Sequence, residues 1–377
     1  MLHQSDRLTM SEISITALGM ATPLGPTMPD SCAAFRAAIR RAANLNTVDP
    51  CEDAALGREP IAGCRAAYLA EGYCLGAKIV LLGGIALSDL LARRTLDGGG
   101  SRTGVALHLS DCFLLDAVSE PVDEGHALPS AQWRQRCASL VSRMLAGCGL
   151  NIPPENHHLS FGSHAGFVAT LAAAADMVAS GRVDRCLAGA VDSCLDPEFL
   201  LAAAVKGVLK TAANPVGFVP GEAAAFALLE RTADARRAAA HPIASFTCGR
   251  VVPGEFDRFS DNPPDGTVLA RAIRSLLATE ARRADIALVI GDLNGDEYRA
   301  RTWGGALARV RSRTVLNAPM WVPAQGFGET GSAAGAVGMC LAARAMERGH
   351  LTGAALAWLS DESGAAAALM VRPAYEA

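Results

Sequence analysis

An internal repeat constrains the fold of this 377-residue chain more than any other feature of its sequence. Each copy has an alanine-rich segment of helical length, a glycine that ends it, a short apolar strand, and a second strand that runs from alanines to an arginine. The segments are Ala165–Ser180, Arg185–Val191 and Glu222–Arg231 in the first copy, and Gly331–Arg348, Gly353–Ser360 and Ala365–Pro373 in the second. Such self-similarity indicates two halves built on one plan.

Strands that alternate with helices and are apolar on both faces are typical of mostly parallel sheets covered by helices. The sequence therefore predicts an α/β fold in which two pseudo-symmetric halves, 12–235 and 240–375, form one compact α/β/α/β/α layered sandwich after a flexible tail at 1–11. The stretch 44–100 is predicted to hold loops and one or two helices. Further predicted elements are a strand and turn at Ile13–Gly25, strands at Arg102–Ser110 and Ile286–Leu293, and helices at Pro29–Ala43 and Ser130–Ala146.

Composition excludes several classes of protein. The net charge is −4 and lysine and arginine form no long runs, so we expect no nucleic-acid or membrane surface. Eleven cysteines without a C-x-x-C pair favour the reduced thiols of a cytoplasmic protein over disulfides or a zinc site. The apolar stretches Ala77–Ala92 and Ala165–Gly181 fall short of the roughly 20 clean residues that span a bilayer. The polar N-terminus lacks a signal-peptide core.

The stretch Leu159–Val168, "LSFGSHAGFV", places His164 at the corner between a strand-like run and the first alanine-rich helix. Ser163 is predicted to cap that helix. A Ser163–His164 catalytic pair is disfavoured, because adjacent residues rarely bring a hydroxyl to the imidazole and no G-x-S-x-G elbow is present. His157 and His158 begin a strand, where alternate side chains face opposite ways, so they are weak metal ligands.

Four segments that follow one another along the chain share a further pattern. They are ITALGMATPLG (Ile15–Gly25), ASGRVDRCLAGAVD (Ala179–Asp192), GFVPGEAAAFALLER (Gly217–Arg231) and FGETGSAAGAVGMCLAARAMERG (Phe327–Gly349). The third is close to the run G-F-x-x-G-E-(G/A)-A-x-x-x-x-L-E. In this order the segments resemble the β-ketoacyl synthases, whose fold is the thiolase fold.

The resemblance implies a site of a nucleophilic cysteine at a helix start, two histidines, a lysine and a glycine-rich oxyanion loop. Carried over by position, His164 stands where the cysteine would be, Asp292 and Glu329 replace the two histidines, and Ala324 replaces the lysine. The glycine-rich loop becomes Ser360–Gly364, "SDESG". Because all these groups have changed, the resemblance implies a degenerate site that does not catalyse Claisen condensation.

The positions of His164, Asp292 and Glu329 imply that the three side chains converge. A buried ionic cluster that holds loops together is the favoured interpretation. Alternatives are a divalent-metal site or an acid/base pair with new chemistry. No cofactor and no metal are predicted.

Three residues are candidate binding positions. The stretch "DLNGDEYRARTWG", Asp292–Gly304, concentrates polar and aromatic residues, and an Asn-Gly turn feeds a helix that carries Tyr298 and Trp303. This helix either packs on the sheet or forms a recognition surface near the mouth of the pocket. Phe167 follows the corner and either borders or fills a pocket there.

Three functions remain open from the sequence. The preferred one is a non-catalytic binding or scaffold protein, with a role in type VI secretion effector loading suggested by the "DLNG…YRA" stretch. The alternatives are a chain-length-factor-like subunit paired with an active ketosynthase, and an acyltransferase or other enzyme that uses His164, Asp292 and Glu329. The implied partners are a second copy or a ketosynthase-like chain, paired through the strand near His157–Phe161, and an effector, adaptor or acyl carrier protein.

Overall fold

A computed structural model describes residues 13–48, 60–69, 72–96, 102–119, 129–279 and 285–374. The tail at 1–11 lies outside these ranges. The strands described are β1 Ile13–Ala21, β2 Ala42–Val48, β3 Pro60–Cys64, β4 Thr103–Leu109, β5 His157–Phe161, β6 Arg185–Ser193, β7 Glu222–Arg231, β8 Ala244–Cys248, β9 Ile286–Ile290, β10 Met320–Trp321, β11 Ala354–Ser360 and β12 Ala366–Pro373. The helices described are α1 Met28–Arg36, α2 Leu75–Arg93, α3 Phe113–Val118, α4 Pro129–Gly147, α5 Gly166–Ala179, α6 Pro197–Val205, α7 Thr232–Arg237, α8 Thr267–Thr279, α9 Glu297–Val310, α10 Arg313–Asn317, α11 Ala324–Phe327 and α12 Ala334–Glu347.

Ten of these strands form one sheet in the order β10-β9-β11-β12-β8-β1-β7-β6-β4-β5. Its two ends mirror each other, because β5-β4-β6-β7-β1 and β10-β9-β11-β12-β8 contain equivalent strands of the two repeats. The halves join where β1 pairs with β8, through Ser14–Ser245 and Ile15–Ala244. The sheet is mixed rather than mostly parallel, since the closing strands β7 and β12 run antiparallel to both of their neighbours.

Helices cover both halves of the sheet and also lie between them. The repeat helices α5 and α12 pack in the middle, each against strands of both halves. On the outer faces α2 packs against β1, β6 and β7 with α4 behind it, and α8 packs against β11 and β12 beside α9. The result is the predicted five-layered α/β/α/β/α arrangement, with the largest apolar core around α5 and α12.

Small residues let the middle helices approach each other closely. A Cβ at Gly335 of α12 would lie 2.8 Å from the ring of Phe167 on α5, which is closer than real Cβ contacts. Phe167 is fully buried in that contact, so its ring fills space between α5 and α12. The alanine-rich texture of both repeat helices therefore reflects a middle layer with little room for side chains.

Most predicted elements are present with small shifts at their ends, and the differences have local causes. The helix predicted at Pro29–Ala43 stops at Arg36, because Ala38 takes a left-handed conformation (φ 55°) and the chain then enters β2. The stretch 44–100 contains the β2–β3 antiparallel pair in addition to loops and α2. The strand predicted at Ile286–Leu293 ends at Ile290, where the polar residues begin.

Helix α2, Leu75–Arg93, is longer than the apolar stretch predicted at Ala77–Ala92. By length and composition alone it could cross a membrane. In the fold it lies against β1, β6 and β7, with residues such as Leu82 and Leu90 fully buried. Its apolar surface is therefore explained by packing on the sheet.

Candidate functional site

The corner after β5 is held by a second, deeper histidine. His108 on β4 is fully buried, and its ring lies 2.9 Å from Ser160 Oγ and 2.7 Å from the carbonyl oxygen of Ser163. Burial lowers the pKa of His108 to about 4, with a smaller contribution from the charge of His164, so the ring is neutral. Gly166 leaves room for it, since a Cβ there would lie 2.4 Å from the ring. His108 therefore fixes the backbone that presents His164.

His164 lies between two carboxylates with both ring nitrogens engaged. Its Nδ1 is 2.7 Å from Asp292 Oδ1, just after β9, and its Nε2 is 2.8 Å from Glu329 Oε1, ahead of α12. All three side chains are buried. Nδ1 donates to Asp292, and Nε2, which also lies 3.1 Å from Arg299 Nη2, forms an ion pair with Glu329. The two carboxylates therefore hold the ring as an imidazolium. The structure thus brings together the three residues that the sequence predicted to converge.

Arg299 on α9 is the second buried cation of the site, and sequence reasoning missed it. It is 1% exposed, and its Nη1 donates to Asp292 Oδ2 at 2.5 Å and also to the carbonyl oxygen of Ser360. Its Nη2 donates to Glu362 Oε1 at 2.7 Å. Its Nε lies 4.0 Å from Glu329 Oε2. One guanidinium therefore links the loops after β9 and β11 to the segment ahead of α12.

The loop "SDESG" after β11 supplies two further acids. Asp361 Oδ1 accepts from the backbone N–H of Ala165 at 2.6 Å, at the start of α5. Glu362 Oε2 accepts from Ser163 Oγ at 2.5 Å. The prediction that Ser163 caps α5 was therefore wrong: the helix has no side-chain cap of its own, and Asp361 from the other half binds its N-terminus instead. The two acids of this loop, Asp361 and Glu362, were the sequence feature that could have predicted this contact with the N-terminus of α5.

Glu329 is held by its neighbours on every side. Its Oε2 accepts from Asn294 Nδ2 at 2.5 Å, and its Oε1 accepts from the N–H of Gly331 at 2.8 Å. Its backbone pairs with the segment before β7, since its N–H donates to Val219 and its carbonyl accepts from Gly221. We call the set His164, Asp292, Arg299, Glu329 and Glu362 the ion cluster.

The electrostatics of the ion cluster follow from burial and pairing. Burial and the Arg299 charge oppose protonation of His164, but Asp292 and Glu329 outweigh them and hold its pKa well above the ordinary value. Burial opposes ionisation of Glu329, but the charges of His164 and Arg299 hold its pKa well below the usual range. Burial raises the pKa of Asp361 to about 7. His164 and Glu329 are therefore held charged, and Asp361 is a titratable neighbour of the cluster.

The remaining predicted positions lie around the cluster in different settings. Ala324 begins α11 and lines a void of about 20 Å³ beside His164, which is room for roughly one water. Trp303 is 8% exposed and stacks on Trp358 at 4.8 Å, so its ring belongs to the core. Tyr298 is half-buried, with the Arg258 guanidinium 5.2 Å above its ring.

Neither a metal nor a thiol nucleophile is indicated in the described part of the chain. No group of His, Cys, Asp and Glu there has an arrangement that could hold a metal ion. Cys194 lies close to the ion cluster, beside Asp192 and Gly331. Burial, together with Asp192 and Glu329, raises its pKa well above the ordinary value, so the thiol stays protonated.

Comparison with known proteins identifies the fold. No protein-family model and no curated protein matches the chain. Several solved structures, however, are similar to the chain. A type II PKS ketosynthase, solved in complex with its acyl-carrier protein and bound to a hexaketide (AntDE:AntF), has a TM-score of 0.75 and 16% identity over 96% of this chain and 99% of its own.

Two further solved structures are similar to this chain over nearly its whole length. The ishigamide ketosynthase/chain length factor has a TM-score of 0.67 and 18% identity over 97% of this chain and all of its own. A β-ketoacyl synthase from Burkholderia phymatum STM815 has a TM-score of 0.70 and 17% identity, again over 97% of this chain and all of its own. The chain therefore has the thiolase fold of the ketosynthases, as the sequence motifs predicted.

The raised pKa of His164 predicts that its imidazolium persists into alkaline solution. In the unfolded chain this histidine titrates near 6.5. Its charge therefore contributes stability that is fully present below pH 6.5 and is lost as the pH rises through the raised pKa. Imidazole ¹⁵N chemical shifts followed from pH 6 to 9 should show His164 protonated and His108 neutral at pH 7.5. Titration of His164 at or below 6.5 would contradict the cluster.

Proposed function

We propose that this protein is a non-catalytic member of the ketosynthase-fold proteins, which works by binding other proteins. The observation that carries the proposal is the full engagement of His164, whose two ring nitrogens both contact buried carboxylates. A histidine held in this way has neither a free lone pair to act as a base nor a free N–H directed at a substrate.

The set of groups that a condensing enzyme uses, a thiolate with two histidines, is not present at this corner. An N-terminal helix end stabilises an anion such as a thiolate. Here the residue at that place is a cation, and the acids Asp292, Glu329 and Asp361 surround it. The polarity of the site is thus the reverse of the one that a thiolate with two histidines would have. This reversal favours a structural role over a modified form of the same reaction.

Space at the corner supports the same proposal. The void beside His164 is about 20 Å³, whereas small-molecule sites measure roughly 300–1,000 Å³. Phe167 and Leu359 pack against α12 on that side, and Trp358 lines the void. An acyl chain therefore has no room there unless the ion cluster comes apart.

The alternative of a new acid/base enzyme has less support. Asp292 accepts from His164, Arg299 and the N–H of Ser360, and Glu329 accepts from His164, Asn294 and Gly331. Carboxylates that already accept this many hydrogen bonds are poor bases. Asp361 and Asp192, with pKa values of about 7 and about 6, are poised to titrate. Asp361 binds the N-terminus of α5, and Asp192 accepts from the N–H groups of Ser193 and Ser332.

Pairing through β5 is the proposed mode of assembly. Within the part of the chain that the structure describes, this strand is the outer edge of the first half and pairs with β4 alone. All five of its residues are half-buried. An open edge of this kind is a template for another strand. A symmetric homodimer or a pair with a ketosynthase-like chain would cover it. A monodisperse monomer of 39.0 kDa in light scattering, alone and with a co-expressed ketosynthase-like chain, would rule both out.

Two specific roles, one in type VI secretion and one as a chain-length-factor-like subunit, differ in the evidence that supports them. The "DLNG…YRA" stretch that suggested type VI secretion serves the fold internally. Asp292 and Arg299 are members of the ion cluster. Asn294 donates to Glu329 of the cluster, and Asp296 caps α9. A chain-length-factor-like role fits the fold better, since a ketosynthase/chain length factor is among the similar structures. Neighbouring genes for a ketosynthase and acyl carrier, or for effectors and adaptors, would decide between these two roles.

The cytoplasm is the proposed compartment. The cysteines that the structure describes are all free thiols, which suits a reducing environment.

An acylation assay tests the absence of catalysis. The native protein, incubated with a hexanoyl thioester of acyl carrier protein, should show no mass increase by intact-mass spectrometry, because no thiolate or free imidazole meets the thioester. A ketosynthase with its cysteine provides the positive control. A stable adduct on the native protein that disappears in His164→Ala would overturn the proposal.

A further inference from the structure

An arginine-rich surface lies where the ends of α1 and α12 meet, outside the ion cluster. Helix α12 spans 14 residues, so its C-terminal end is about 21 Å from its start beside Glu329. We call this region the α1–α12 surface. Its basic residues are the arginines Arg36, Arg40, Arg41, Arg344 and Arg348, with His350 beside them.

The positive charge of this surface is largely uncompensated. Arg344 pairs with Glu347. For Arg36, Arg40, Arg41 and Arg348, all exposed, no carboxylate lies within ion-pair distance among the residues described. Partial desolvation and the charges of Arg36, Arg348 and Arg344 lower the pKa of His350, which places these groups on one surface. A local excess of cations on a chain of net charge −4 attracts anionic partners.

A cavity walled partly by apolar side chains and partly by polar ones opens within the same surface. It has a volume of about 220 Å³ and lies between the end of α1 and the edge strand β10, with Arg36 and Arg40 in its wall. Phe35 and Trp321 meet there edge to face at 5.8 Å. Ile39 at its rim is 43% exposed. Because small-molecule sites begin near roughly 300 Å³, the cavity suits one large side chain rather than a metabolite.

The backbone that carries these groups is fixed. Ala38 takes the left-handed conformation (φ 55°) that ends α1. Its N–H donates to Phe35 at 2.9 Å, and the N–H of Ile39 donates to Ala34 at 3.0 Å. This turn directs Ile39 and Arg40 to the cavity. A surface that is already ordered loses little entropy on binding.

We propose that the α1–α12 surface binds an acidic segment of a partner protein, which places one apolar side chain in the cavity. The segment's carboxylates pair with Arg36, Arg40 and Arg348 around the rim, and the anchoring side chain contacts Phe35 and Trp321. An apolar anchor surrounded by charged contacts is the usual form of a binding hot spot. Nucleic acid is disfavoured, because its phosphates would leave the cavity empty. The proposal goes beyond the proposed function, since none of the residues of this surface belongs to β5 or to the ion cluster.

Fluorescence polarisation with a defined probe tests the proposal. The probe is a fluorescein-labelled peptide with one phenylalanine flanked on each side by three glutamates. The native protein should bind it, and binding should weaken with salt. Arg36→Glu/Arg40→Glu should weaken it at least about tenfold, because charge-assisted contacts are lost. Ile39→Asp, or a peptide with serine for phenylalanine, should weaken it as well.

A matched control separates this surface from general charge effects. Arg271→Glu/Arg274→Glu makes the same charge change at two exposed positions of α8 and should leave binding within about twofold. Equal losses in the two double variants, or no binding by the native protein, would overturn the proposal. So would a labelled DNA duplex that binds as tightly as the peptide and depends equally on Arg36 and Arg40.

Discussion

The ion pair between Arg299 and the acids around it is the interaction on which the centre of this molecule depends. Two buried cations, His164 and Arg299, lie among Asp292, Glu329 and Glu362 with almost no water. Buried charges are tolerated only when each is paired and hydrogen-bonded. His164 belongs to the first half of the chain and the other members to the second. The cluster therefore fastens the corner of α5 to the loops of the opposite half.

The helix start at α5 explains why acids surround His164. The N-terminus of a helix carries partial positive charge, so a cation placed there is unfavourable. Asp361 offsets this by accepting the N–H of Ala165, while Asp292 and Glu329 neutralise the ring directly. A change from an anionic to a cationic residue at such a corner requires the surrounding charges to change sign as well.

Much of this arrangement could be predicted from the sequence, and the rest could not for physical reasons. The repeat predicted the paired helices α5 and α12 and their strands, because apolar periodicity reports burial directly. The family resemblance, applied position by position, predicted that His164, Asp292 and Glu329 lie together. The resemblance could not predict the ion pairs of Arg299, because they form only when α9 packs over the cluster. The Asp361 cap and the end of α1 at Ala38 also depend on contacts or backbone conformations that composition does not reveal.

We propose that the ion cluster holds this corner for stability and not for reaction. Groups retained for catalysis commonly cost stability, so their removal often stabilises a protein. Removing one partner of a buried ion pair instead costs about 3–5 kcal/mol. Denaturant unfolding of Arg299→Met, compared with Arg301→Met two residues along the same helix, where the ion pair with Glu297 is exposed, measures this directly. We predict a loss of about 3–5 kcal/mol for Arg299→Met and of less than about 1 kcal/mol for Arg301→Met. An Arg299→Met protein as stable as the native one, or more stable, would contradict the account.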